Sequence, residues 1–346
     1  MESIIVDTPS LKYSVFLAPG ILKSASKYIK EIATTSKLAV ITDSNVCSLY
    51  ANKLVKSLNK AGFNTILYTI SGGEDCKSIK EYESLLNFLA DNNFSRHDSL
   101  IALGGGVVGD LTGFVASTFK RGLKFIQIPT SLLAVIDSSV GGKTGINLAS
   151  GKNFVGAFYQ PSLVLADMDT LKTLPSLEIS NGLGELIKYG VLCGTELFDK
   201  ITLSSPFDSS ILIKCIEYKA QIVAADEKEG DTRMLLNLGH TFAHAIEKLS
   251  NYTIPHGSAV GTGISIIAKA CNNHSMLSNS DYEKIITLLN TFGFPLASKF
   301  HMKELLEATI GDKKNCENKV SFVAINQIGK CSIVRCTPLE FREFML

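Results

Sequence analysis

Five short apolar runs punctuate the first half of the chain: Leu38–Thr42, Thr65–Ile70, Ser99–Leu103, Phe125–Ile128 and Leu163–Ala166. Helical patterns and Gly-rich turns separate them. A run of four to six apolar residues bounded by such turns reads as a strand buried on both faces. Strands of that kind alternating with helices require a parallel, doubly wound sheet. Residues 2–18 alternate loosely and end at Pro19-Gly20, so they add strands that close in a turn. Ligands of such sheets lie beyond the carboxyl ends of the strands. Three polar stretches fall there: Asp43-Ser44-Asn45, Gly72-Gly73-Glu74-Asp75-Cys76-Lys77, and Gly104 to Asp110.

The third stretch, Gly104-Gly105-Gly106-Val107-Val108-Gly109-Asp110, leads from a strand into a helix that runs to about 119. Its glycines suit a phosphate at the helix N-terminus, or simply close packing of helix on strand. Asp110 is placed to cap that helix. The Gly-x-Gly-x-x-Gly fingerprint on a first strand is missing, and neither Gly-Lys pair, at Lys143 or at Lys152, has Walker A spacing. Residues 137–153 read as a polar, Gly-rich loop suited to an anion, with a solvated loop as the plainer alternative.

From about 176 the pattern turns helical, which sets domains at 1–175 and 176–346. The most informative stretch of the second is Arg233 to Glu247. Read as one helix, it is apolar nearly all round and carries one polar stripe: Arg233, Asn237, His240 and His244. A buried polar stripe needs partners, and two histidines one turn apart suit a metal or an anion. A solvated face is the alternative. Glu185 and Lys188 share a helical face three residues apart and by themselves read as a surface ion pair. Residues 281–310 read as amphipathic helix, and Lys319 to the end as a strand pair with a terminal cap.

With 346 residues, 45% of them hydrophobic, the chain can build two real cores. Formal net charge is +1 without long charge runs, so neither nucleic acid nor an acidic membrane surface is expected as a partner. Eight scattered cysteines include no Cys-x-x-Cys pair, and the N-terminus lacks a basic start and apolar run. A reducing, cytoplasmic setting follows as the expectation.

Many of these segments, in this order, resemble the 3-dehydroquinate synthase family of the shikimate pathway, within the sugar phosphate cyclases. The resemblance runs through 72–77, 104–110, Arg121-Gly, 127–134, 137–144, 151–153, 156–161, 171–175, 184–190, 237–247 and His256-Gly. It covers nearly the whole chain. It implies a Rossmann-like α/β N-terminal domain that binds NAD and a mainly α-helical C-terminal domain that binds zinc or cobalt. It implies conversion of 3-deoxy-D-arabino-heptulosonate 7-phosphate to 3-dehydroquinate and phosphate. A homodimer is implied as well, with Arg121 reaching a neighbouring subunit's site.

Residue by residue, the resemblance makes Glu185, His240 and His256 the metal ligands, a mixed oxygen and nitrogen set that leaves one position open. On spacing alone a Glu185, His240 and His244 set remains chemically possible. Lys143, Asn153, Lys188, Lys219, Arg233, Asn237 and either Lys313 or Lys314 resemble substrate contacts, while His244, with Glu229, resembles a proton relay. NAD contacts are implied at Asp43, Asn45, Gly72, Gly73, Glu74, Asp75, Cys76 and Lys77. They continue at Gly105, Gly106, Val107, Val108, Gly109, Asp110, Thr130, Ser131, Asp137, Lys143 and Lys152, and end at Thr170, Leu171, Lys172, Thr173, Leu174 and Glu178.

The chain departs from the family's commonest pattern at Leu177, Ala243 and Ser258. Ala243 adds only a methyl and should be tolerated, while Leu177 and Ser258 put local polar contacts in doubt and leave the ligand set intact. Rival readings are another sugar phosphate cyclase, a metal-dependent polyol dehydrogenase, or a non-catalytic metal-binding protein.

Overall fold

A computed structural model describes residues 1–33, 35, 37–313 and 319–346. The chain divides into two compact units, one of Met1–Leu174 with Lys219–Glu227, the other of Pro175–Tyr218 with Lys228–Leu346.

Among the described residues the first unit holds nine strands: β1 Glu2–Asp7, β2 Lys12–Ala18, β3 Lys37–Asp43, β4 Asn64–Ile70, β5 Ser99–Gly104, β6 Lys124–Pro129, β7 Lys143–Leu148, β8 Gly151–Phe158 and β9 Leu163–Asp167. Seven form one sheet in the order β1-β2-β9-β6-β5-β3-β4. β1 is antiparallel to β2, and every other pairing in that sheet is parallel. The apolar runs are unbroken because both faces are covered. Ala39, Ile41, Leu100, Ala102 and Phe125 pack with Leu85, Leu89, Leu111 and Val115 on one side. Their alternates Leu38, Val40, Ile101, Leu103, Ile126 and Ile128 pack with Ile29, Leu54 and Leu58 on the other.

Much of the loop expected over 137–153 is strand, since β7 and β8 span Lys143–Leu148 and Gly151–Phe158. β7 and β8 form an antiparallel hairpin of their own, with Gly145 opposite Gly156. A Cβ on Gly156 would stand 2.2 Å from the Thr144 carbonyl oxygen, and one on Gly145 2.6 Å from that of Val155. The glycines that disguise these strands are the ones that let them approach.

The helices of the second unit include Ser176–Cys193, His240–Leu249, His256–Asn273, Asn279–Thr291, Met302–Lys313 and Pro338–Met345, beside a strand pair β10 Val320–Gln327 and β11 Lys330–Cys336. The helical stretch expected over 281–310 falls into two helices, Asn279–Thr291 and Met302–Lys313. Helix His256–Asn273 is buried along most of its length. Among the described residues no helix is long and apolar enough to cross a membrane.

The stretch 233–247 is not one helix. Thr232–Asn237 is a 3-10 turn, Gly239 takes the left-handed conformation at φ 79°, and the α-helix begins at His240. A Cβ on Gly239 would meet the Ile264 side chain at 2.8 Å and the Val260 carbonyl oxygen at 2.9 Å. The break therefore sits where this segment presses on helix His256–Asn273. It dissolves the expected single stripe of Arg233, Asn237, His240 and His244.

Candidate active site

Three helices of the second unit bring Glu185, His240 and His256 together. Glu185 lies midway along Ser176–Cys193, His240 opens His240–Leu249, and His256 follows Pro255 at the start of His256–Asn273. Small residues make the approach possible. A Cβ on Gly184 would fall 2.3 Å from the Gly257 carbonyl oxygen, and one on Gly257 2.3 Å from that of Asn181. The helices meet backbone to backbone one residue from Glu185 and one from His256.

His240 Nε2 and His256 Nε2 each stand 3.2 Å from the same Glu185 oxygen, Oε1. One ligand atom from each residue lies within 4.8 Å of the others. His240 Nδ1 is 3.2 Å from the Leu238 carbonyl oxygen, and His256 Nδ1 is 3.4 Å from Glu247 Oε1. Each ring thus has an acceptor behind Nδ1 and turns Nε2 toward Glu185, the orientation a metal ligand needs. His244 is not in this cluster. It is exposed, with its ring edge-on to His240 at 5.6 Å.

Glu185 is 1% exposed and ion-paired with Lys188, which is equally buried, so the expected surface pair is a buried one. Burial works against the Glu185 charge, but Lys188 and His240 outweigh it and hold the carboxyl well below its usual range. At His256 burial likewise opposes charge, and the bonds to Glu185 and Glu247 override it, raising the imidazole to about 10. An ionised carboxylate facing two imidazole nitrogens is the field a divalent cation would satisfy.

Nearby in sequence, Asn237 Nδ2 donates to Glu229 Oε1 at 2.9 Å, with Glu229 held at φ 60°. Arg233 is 1% exposed. Lys313 is the last residue of its helix, and Lys314 lies outside the described residues.

In the first unit a second polar cluster forms at the carboxyl ends of the strands. Lys77, nearly buried, pairs with Asp110 at 2.5 Å and donates to Asn153 Oδ1. Asn147 donates to Glu74 Oε1 at 2.7 Å and accepts from the Asn153 amide at 2.9 Å. The hairpin is thereby tied to the 72–77 loop. Asp110 is not the expected cap: Gly105 caps helix Gly106–Thr118, and Asp110 sits in its second turn. Burial raises the Asp110 carboxyl above its ordinary value, against the lowering effect of Lys77.

Gly105 and Gly106 open that helix against hydroxyls. Cβ atoms there would come within 3.3 Å of Ser131 Oγ and 3.2 Å of Ser138 Oγ. Thr130 N–H bonds to the Gly104 carbonyl at 3.0 Å, while Val108 and Gly109 pack inward. Lys219 donates to the Asp137 carbonyl at 2.7 Å and pairs with its carboxylate. Asp43 accepts from the Asn45 and Val46 amides, capping its own helical turn. Gly72 lies against the Asn45 side chain. The Cys76 thiol donates a hydrogen bond to the Ser71 carbonyl oxygen, and Gly73 stands at φ 102°.

The other expected residues are more scattered. Thr170 bonds back to the Asp167 carbonyl, Thr173 meets the Tyr50 hydroxyl, Lys172 pairs with Asp169, and Leu171 is buried. Leu174 follows that turn, and Glu178 lies in the first turn of the next helix. Lys143 opens β7, Lys152 lies on β8, and Arg121 stands exposed at φ 67°.

Sequence reasoning gave no role to Glu247. Its signal was its position, seven residues and two turns after His240 and next to the buried Ile246, on the same helix.

Comparison with known proteins decides the family. The family model described as 3-dehydroquinate synthase N-terminal matches residues 67–181, and the one described as 3-dehydroquinate synthase C-terminal matches 182–315. The chain belongs to the 3-dehydroquinate synthase family. A relative named 3-dehydroquinate synthase from Desulforamulus reducens is 40% identical over 346 residues, covering 97% of this chain and 96% of the relative. Another, from Streptococcus suis, is 39% identical over 351 residues and covers 99% of each.

Among solved structures, 2-deoxy-scyllo-inosose synthase complexed with carbaglucose-6-phosphate, NAD+ and Co2+ superposes with TM-score 0.88, 24% identity and 99% of each chain covered. The 2-epi-5-epi-valiolone synthase of Streptomyces hygroscopicus, with NAD+ and Zn2+ bound, gives TM-score 0.85, 24% identity and 96% coverage of each. Glycerol dehydrogenase from Schizosaccharomyces pombe is further off, at TM-score 0.63 and 15% identity, covering 96% of this chain and 87% of that one. These structures share the 3-dehydroquinate synthase family's fold.

Proposed function

We propose that the protein is a 3-dehydroquinate synthase, a carbon–oxygen lyase that converts 3-deoxy-D-arabino-heptulosonate 7-phosphate to 3-dehydroquinate and phosphate. NAD is used and regenerated within each turnover, and zinc or cobalt is the metal. One observation carries the reading: the Glu185, His240 and His256 donor set, in a chain 40% identical nearly end to end to a relative of that name.

The residues suit both groups. Two imidazoles and a carboxylate make a three-ligand zinc set with an open position. The helix that starts at Gly106, with no Cβ at 105 or 106 and hydroxyls alongside, suits a pyrophosphate at its N-terminus. When bound, the metal would supply Lewis acidity toward substrate hydroxyls, and NAD would supply reversible hydride transfer.

The chain's own groups do the rest. Residues 1–175 hold NAD and residues 176–346 hold the metal. Lys143, Lys152, Lys219, Arg233 and a lysine of 313 or 314 balance the carboxylate and phosphate of the substrate. Lys188 keeps Glu185 ionised and meets substrate. Asn153, Asn237 and Glu229 orient hydroxyls, and His244 accepts the proton of the hydroxyl that is oxidised. As a homodimer of the cytoplasm, each subunit lends Arg121 to the other, which light scattering and an R121A activity assay would test.

Metal-stripped protein with catalytic NAD should release no phosphate until zinc or cobalt is restored. NADH that accumulates without phosphate would make the chain a dehydrogenase instead.

A further inference from the structure

We propose that Glu247 is a positioning residue for the metal centre: its carboxylate accepts the Nδ1 hydrogen of His256 and so presents Nε2 to the ion. The proposal rests on the metal reading above. Three observations carry it. Glu247 is 7% exposed and stands on a helix whose neighbouring residues Phe242, Ala243, Ala245 and Ile246 are all buried. A carboxylate in such a place is costly without a partner. Its Oε1 lies 3.4 Å from His256 Nδ1, while Nε2 of the same ring is 3.2 Å from Glu185 Oε1. The ring is therefore held at both nitrogens, by one acceptor behind and one in front.

The contrast with His240 sharpens the inference. His240 has a neutral carbonyl, that of Leu238, behind its Nδ1. His256 has a carboxylate there. A carboxylate makes the imidazole a stronger donor through Nε2 and fixes its tautomer more firmly than a carbonyl does. His256 is also the first residue of its helix, after Pro255, and its side chain is more exposed than that of His240. The ligand with the looser surroundings has the stronger clamp.

The test is zinc affinity by competition with a chromophoric chelator, together with the visible spectrum of the cobalt-loaded protein. Wild type, Glu247→Ala and Glu247→Gln are compared, and the melting temperature of each metal-free protein is recorded. Glu247→Ala should bind zinc about 10–100-fold more weakly, with shifted cobalt bands. Glu247→Gln keeps an oxygen acceptor but not the charge, so it should lose several-fold less than the alanine variant. Apo stability should not track that order.

Wild-type zinc affinity in Glu247→Ala overturns the inference and leaves the metal reading standing. If that variant does not fold, Glu247→Gln decides: an affinity and cobalt spectrum identical to wild type overturn it. Wild-type protein that holds no zinc overturns the metal reading and this inference with it.

Discussion

Lys188 and Glu185 are both buried, so the consequence of removing one partner is large even if the intact pair adds little. Lys188→Met would leave the Glu185 carboxylate without its cation. Breaking a buried pair this way costs about 3–5 kcal/mol. We expect the metal-free variant to lose about that much stability in urea unfolding, and zinc to restore part of it, because the ion supplies charge to the same carboxylate. A variant as stable as wild type would contradict the pairing. His244 gives a different pattern: His244→Ala should keep its zinc and lose about 100–10,000-fold in turnover. Normal turnover would remove it as the proton relay. At this scale the sequence was ambiguous for a physical reason. His240 and His244 are neighbours in the chain, whereas His256 reaches His240, ring centroids 5.3 Å apart, only through the packing of two helices. Spacing alone could not choose between them, and the family resemblance did.

Gly184 and Gly257 govern the elements that carry the ligands. A methyl on either would meet backbone atoms at 2.3 Å, which no rotamer change relieves. Gly184→Ala should therefore push helix Ser176–Cys193 away from helix His256–Asn273. We predict a stability loss of at least about 1–3 kcal/mol, the range for overpacked cores, with weakened zinc binding, both read by thermal melts with and without zinc. Unchanged melts would mean the helices do not meet as described. Element reading also shows where pattern misleads. The parallel strands were legible because burial on both faces writes continuous apolar runs. The β7–β8 hairpin was not, because Gly145 and Gly156 replace the side chains whose alternation would mark it. The apolar run through 233–247 hid a break, because Gly239 turns the backbone without interrupting hydrophobicity.

For the whole molecule, the acid limb of stability has identifiable sources. Glu227 accepts from the Ser10 amide at 3.1 Å, from the Ser10 hydroxyl and from Gln160 Nε2 at 2.8 Å. Burial opposes its charge, but these bonds prevail and hold the carboxyl below its ordinary 4.5. Asp98 is lowered in the same manner by Thr35 and Ser95, again against burial. A carboxyl whose folded value lies below its unfolded one contributes stability above the unfolded value. It loses that contribution as pH falls through the folded value. Wild type should thus be more stable than Glu227→Gln at neutral pH, and the gap should narrow below pH 4.5. Melting temperatures of the two across that range test it, and a constant gap would contradict it.

One assay separates the chemistry of a synthase from that of a dehydrogenase. Zinc-loaded protein is mixed with 3-deoxy-D-arabino-heptulosonate 7-phosphate and far less NAD than substrate, and phosphate and NADH are followed together. Phosphate should form in large excess over the NAD supplied, with no build-up of NADH, because each hydride is returned. Phosphate capped at the amount of NAD, or NADH rising without phosphate, would contradict it.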